Sequence, residues 1–206
     1  MEIEAATIAD AWSNVLRVFS ETPPARSNYR HGSAFDIPGL TIWVDGIADK
    51  TLPEGFQYPE LVHDYQSRLF GEQQKESLFH QRITTAKGSG RRARDQIESI
   101  FLLLREDPGS RAAVFSVWDP SVDIESDFPI SPVGGAFRIV NGRLILFVTA
   151  RSADVWVGLV PELLAFARYA ETMAWRLGLT KAILCYHAWS AHMYETDLLA
   201  YTNGLV

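Results

Sequence analysis

A chain of 206 residues with 47% hydrophobic and 21% charged side chains is long enough to bury a sizeable core, and it reads as a single globular domain over 1–206. Nineteen Lys and Arg against 25 Asp and Glu give a net charge of −6, so no overall basic field points to nucleic acid or to an anionic membrane. Cys185 is the only cysteine, which excludes an intrachain disulfide and a cysteine-built metal site within one chain. No apolar run approaches the roughly 18 residues of a membrane span, so a soluble protein of a reducing cytoplasm is expected.

In chain order, Ile8 to Phe19 places Ala11, Trp12, Val15, Leu16 and Phe19 on one helical face, with Thr7 and Asp10 in starting positions. The run ETPPARSNYRHGS, with two prolines and with Arg26, Arg30 and His31, reads as a loop that is neither helix nor strand. LTIWVDG alternates as a strand ending in a turn, and the chain from Lys50 to Tyr58 is loop again. Tyr58 to Phe70 reads as a helix with Leu61, Tyr65 and Leu69 on one face and Pro59 in its first turn. The polar segment that follows carries GSGRRAR, read as a surface turn before a helix over Arg94–Arg105, whose stripe is Ile97, Ile100, Phe101 and Leu104.

Beyond Gly109 the period changes to two, and RAAVFSVW, GGAFRIV and RLILFVTA read as successive strands, the last two joined by an Asn141-Gly142 hairpin turn. A strand ending in Arg151-Ser152 leads through a short turn to a helix from Pro161 to Leu177, apolar on nearly every side and therefore buried. AILCYHAW is a final buried strand, followed by a short C-terminal helix. The class is α+β, a mostly antiparallel sheet covered by helices. No Walker loop, dinucleotide fingerprint, zinc-ligand spacing or Gly-x-Ser-x-Gly elbow is present.

The stretch RSADVWVGLVPELL, with WDPSVDIESDFPIS before it and HAWSAHMYETD after it, resembles the nucleotide-binding core of the thymidylate synthase and deoxycytidylate hydroxymethylase family. It is most similar to the short archaeal-type branch, over about Asp95 to Asp197. The resemblance implies a thymidylate synthase-like fold and a pyrimidine nucleotide ligand. It implies that Arg151 and Ser152 hold the 5′-phosphate, and a guanidinium fork with a hydroxyl matches phosphate oxygens in charge and geometry. Arg111 resembles the arginine that the family lends across a homodimer interface, with Ala112 where a second arginine stands. His192 and Tyr194 match the residues that bond the sugar 3′-hydroxyl, and Asp154 the one beside the base.

Three departures set the functional expectation. The family's cysteine attacks C6 of the base, and counting back from Asn141-Gly142 puts Ser131 there, a far weaker nucleophile than a thiolate. The family's C-terminal tail, which closes over methylene-tetrahydrofolate, has no counterpart up to Val206, so the sequence fixes no cofactor and leaves methylene-tetrahydrofolate open as the one the resemblance implies. Glu162 replaces the asparagine that reads uracil. A first-turn carboxylate is favoured by the helix dipole in any case, whereas a carboxyl that shares a proton with cytosine would favour cytidylate over uridylate. The expected protein binds a pyrimidine 5′-monophosphate without folate-dependent methyl transfer; the alternative is a methyl- or hydroxymethyltransferase on that nucleotide with a mechanism that needs no cysteine.

Overall fold

The computed structural model describes residues 1–22, 24–29, 32–72, 78–85 and 95–204. After a short strand β1 (Glu2–Ala5), Thr7 and Asp10 form the start signal of α1 (Ile8–Glu21): the Thr7 hydroxyl accepts the Asp10 N–H at 3.0 Å, and the Asp10 carboxylate accepts the Thr7 N–H at 3.1 Å. Its buried face is the apolar stripe of the sequence, and the Trp12 indole N–H donates to the Val155 carbonyl at 2.9 Å, fixing α1 to the turn beside the later site.

The run 21–33 is corrected by the structure. Ala25–Tyr29 is a strand, β2, antiparallel to the start of β3 (Gly32–Val44), which begins eight residues before the predicted one. Pro24 precedes β2, where it costs no ladder hydrogen bond, and Pro38 lies in the part of β3 that neither β1 nor β2 pairs, so the polar and proline-bearing sequence is compatible with an edge. Arg30 and His31 lie outside the described residues, as does GSGRRAR.

Three helices follow. In α2 (Pro59–Phe70), Pro59 sits at the start as predicted and Gly71 closes the helix with φ 66°. The short α3 (Leu78–Thr84) was not predicted; only Phe79 and Ile83, one turn apart, are buried, too little apolar pattern to announce it. α4 (Gln96–Glu106) starts at Asp95, whose carboxylate accepts the Glu98 N–H.

The expected strand 111–118 reduces to β4 (Val114–Ser116), an edge strand paired on one side only, to β5 (Pro132–Val140). Between them lies the single turn α5 (Pro120–Asp123). β5 and β6 (Arg143–Ala150) form the predicted hairpin, and Asn141 and Gly142 both take positive φ, 50° and 72°. After β7 (Ala153–Asp154), α6 (Leu159–Arg176) opens two residues before Pro161, which costs nothing because first-turn N–H groups lack intrahelical partners. Most of its 18 residues are buried, as the sequence implies, but Trp175 is 79% exposed. β8 runs from Ala182 to Tyr194, past the predicted end at Trp189, because β3 continues to pair with it, and α7 (Glu195–Thr202) follows.

Among the described residues the strands form one sheet in the order β1-β3-β8-β6-β5-β4, with β2 on β3 and β7 on β8. Four pairings are antiparallel and three parallel, so the α+β, mostly antiparallel reading holds. One sheet face carries Ile42, Leu146, Leu184 and Tyr186 into the core beneath α1 and α6.

Candidate functional site

The site is built on an interruption. β6 and β8 run parallel with Ala150 opposite Ala188, and β7 resumes the same register with Ala153 opposite Ala191 and Asp154 opposite His192. Arg151 and Ser152 are the two residues between, released from strand pairing. The Arg151 guanidinium is held by the neighbouring segment, its Nε–H donating to the Ile130 carbonyl at 3.0 Å and its Nη2–H to that of Pro129 at 2.7 Å, while Nη1–H donates to the Ser152 hydroxyl at 3.0 Å. These bonds take three of the five N–H donors of a guanidinium. Burial lowers the pKa of Arg151, and the charges of Asp123 and Glu162 oppose that effect.

Ser131 lies against the same interruption. Its carbonyl accepts the Arg151 N–H at 2.9 Å, and its hydroxyl donates to the Ser152 carbonyl. No described carboxylate or imidazole is hydrogen-bonded to that hydroxyl.

One row of the sheet brings Asp36 of β3, His192 of β8 and Asp154 of β7 side by side. Paired residues on adjacent strands share a face. Burial holds the His192 imidazole below its usual range, against the charges of Asp154 and Asp36. Tyr194 lies two residues on, its ring edge-on to His192 at 5.5 Å between centroids. Asp154 Oδ1 accepts the N–H groups of Trp156 and Val157 at 3.0 and 3.1 Å, which shapes the turn into α6.

Glu162 is 4% exposed, with the Tyr65 hydroxyl on one carboxyl oxygen at 3.1 Å and the Tyr186 hydroxyl on the other at 2.6 Å. Burial pushes its pKa up to about 7, against the tyrosine hydrogen bonds and the charge of Arg151, which favour the ionised form. Because the folded pKa lies above the ordinary 4.5, folding stability from this group is complete below that value and falls as pH rises through about 7. The loss is about 3 kcal/mol. Glu162→Gln removes the titration, so urea unfolding between pH 5 and 8 should show a flatter dependence than the wild type; parallel curves would contradict it.

The structure thus gathers Arg151, Ser152, Ser131, Asp154, His192 and Tyr194 around one strand interruption, with Glu162 on the first turn of the helix that follows. Arg111 stands apart, exposed just before β4, and no described contact joins it to the others. The family profile described as Thymidylate synthase matches residues 30–205. The chain belongs to the thymidylate synthase family. It is 27% identical over 172 residues to a protein of Methanothermobacter marburgensis, covering 82% of this chain and 72% of that one. It is 26% identical over 199 residues to one of Methanosarcina acetivorans, covering 95% and 90%. A third, from Methanopyrus kandleri, is 34% identical over 105 residues, half of each chain. All three carry the name "Putative thymidylate synthase".

The side chains that support the candidate residues were missed by sequence reasoning. Tyr65 reads as one more apolar-face residue of α2, and Tyr186 as one of the final strand. Arg82, in the LFHQRI segment that precedes the site, forms a two-pronged ion pair with Asp123, at 2.5 and 3.0 Å. Asp123 is 1% exposed and also accepts the Asp119 N–H. Burial pushes its carboxyl up, but Arg82 and the Asp119 and Ile130 amides outweigh that and hold its pKa below the usual value. A sequence in which Asp119, Asp123, Glu125 and Asp127 follow one another gives no sign that one of them is buried.

Proposed function

We propose that this chain binds a pyrimidine nucleoside 5′-monophosphate as a homodimer and lacks the folate-dependent C5 methyl transfer of its family. The interruption at Arg151-Ser152 carries the reading: a desolvated, oriented guanidinium keeps two N–H donors and a neighbouring hydroxyl for an anion, one strand away from His192 and Tyr194. Phosphate goes to Arg151 and Ser152, the sugar to His192 and Tyr194, and the base lies beside Asp154 and Glu162. Ser131 is in the nucleophile's place, but its hydroxyl proton is committed to the Ser152 carbonyl.

A homodimer would form through the sheet face away from α1 and α6, which presents Trp43 and Phe147 in contact and Val114 and Trp189 more than half exposed. Arg111 would then serve the phosphate of the neighbouring protomer. The carboxylates of Asp36 and Asp154 flank His192, the charge of Asp154 acts on Asp197, and the described Arg26 is paired with Glu195 at 2.6 Å. No step is assigned to a folate.

One observation favours the second reading, a one-carbon transferase acting on the same nucleotide without cysteine. Glu162, with its pKa near 7, can exchange a proton inside the site at physiological pH. The same property supports cytidylate over uridylate as the ligand, since a protonated carboxyl can donate to the cytosine ring nitrogen and accept from its amino group.

A thermal-shift panel tests the reading. At a hundredfold excess over its dissociation constant, cytidylate should add about 2.7 kcal/mol of stability, roughly 5–10 °C for a chain of this size. Uridylate should shift less, and the nucleoside or Arg151→Ala much less. Glu162→Asn should erase the difference between the two bases. No shift with any pyrimidine monophosphate at millimolar concentration would contradict the assignment.

A further inference from the structure

We infer that Asp36 makes the site selective for ribose over 2′-deoxyribose, accepting a hydrogen bond from the 2′-hydroxyl next to the 3′-hydroxyl taken by His192 and Tyr194; this rests on the nucleotide reading above. Asp36 is directly opposite His192 in the β3–β8 ladder, so both side chains leave the same sheet face. Strands in a sheet are about 4.8 Å apart, a separation that two side chains can bridge with the adjacent hydroxyls of one sugar. The Ser190 hydroxyl donates to Asp36 Oδ1 at 2.8 Å, which orients the carboxylate, and no described residue donates to Oδ2. No described Lys or Arg pairs with it, since Arg26 is committed to Glu195.

The two carboxylates flanking His192 therefore differ. Asp154 spends Oδ1 on the Trp156 and Val157 amides and belongs to the turn into α6, on the base side. Asp36 lies on the opposite side of His192, on β3, half-buried and bonded through Oδ1 to the Ser190 hydroxyl. An ionised carboxylate only accepts hydrogen bonds. Beside a ligand that already carries a phosphate dianion, it is repulsive unless the ligand offers a donor. The 2′-hydroxyl of ribose is such a donor, and the 2′-methylene of a deoxyribonucleotide is not. A site built to pair a hydroxyl rejects the analogue that lacks it, because the site's own polar group is then left unpaired.

Hydrogen bonds to a charged acceptor correspond to roughly ten- to hundredfold in affinity. Calorimetric titration of cytidine and 2′-deoxycytidine 5′-monophosphates into wild type, Asp36→Asn and Asp36→Ala is the test, with melting temperatures showing that each variant is folded. The wild type should bind the ribonucleotide at least tenfold tighter. Both substitutions should bring the pair within about threefold, by weakening the ribonucleotide and leaving the deoxyribonucleotide unchanged or tighter. Equal affinities in the wild type, a deoxyribose preference, or a ribose preference that survives in Asp36→Ala would each overturn the role of Asp36 while the nucleotide site stands. Absence of binding by both nucleotides would overturn the site itself, and this inference with it.

Discussion

Asp123→Ala is expected to destabilise the fold by about 3–5 kcal/mol, the range for removing one partner of a buried ion pair, and to lower the melting temperature by roughly 6–20 °C. The substitution leaves the Arg82 guanidinium, with a side chain 14% exposed, facing a void where a carboxylate took two of its donors. It also frees the Asp119 and Ile130 amides that Asp123 holds. The effect should reach the site, because the Pro129 and Ile130 carbonyls orient Arg151. Nucleotide affinity should therefore fall in a protein that still folds at low temperature. The sign of the pH dependence is fixed by the lowered pKa: the pair stabilises fully above the ordinary value of 3.8 and is lost as pH falls below it. Chemical denaturation at pH 7 and pH 3 checks both parts. A loss under 1 kcal/mol at pH 7 would mean that the pair is dispensable.

The second large effect is a missing reaction. Purified protein given cytidylate, deoxycytidylate or deoxyuridylate labelled at C5, with methylene-tetrahydrofolate, should release no tritium above background. Release requires a covalent bond at C6 that makes C5 a carbon nucleophile, and a serine hydroxyl without a base is far from a thiolate in reactivity. Ser131 donates its proton to the Ser152 carbonyl, an acceptor that cannot remove it. Burial pushes the Cys185 thiol up to about 11, and that residue sits within β8, paired to Trp43 and Phe147, so it supplies no substitute. Release at an ordinary enzymatic rate would establish the transferase reading, with Glu162 the first group to test.

The helices legible in the sequence were those with a repeating apolar face: α1, α2, α4 and α6 appear within a few residues of their predicted bounds. The hairpin at Asn141-Gly142 was legible because its turn demands positive φ at both positions. What the sequence did not show depends on partners far along the chain. β2 is a polar strand that pairs with β3 and is tied to α7 by Arg26 and Glu195, and β8 outruns its apolar core because β3 does. The site divides in the same way. Arg151, Ser152, Asp154, His192 and Tyr194 stand in local motifs and were named as candidates from the resemblance those motifs carry, and the structure brings them near one another. Tyr65 meets Glu162 across 97 residues and Arg82 meets Asp123 across 41, and no local pattern encodes either meeting. Glu162 was weighed as a helix-terminus charge or a base reader, and neither alternative contained its two tyrosines.

The central claim is that Arg151-Ser152 is a phosphate site in line with a sugar site at His192 and Tyr194. A crystal structure of the protein with cytidine 5′-monophosphate tests it most directly. The account expects phosphate oxygens on the free Arg151 N–H groups and the Ser152 hydroxyl, and the 3′-hydroxyl on His192 and Tyr194. It also expects a two-fold neighbour whose Arg111 reaches the phosphate. A nucleotide bound elsewhere, or bound here with its phosphate away from Arg151, would contradict it.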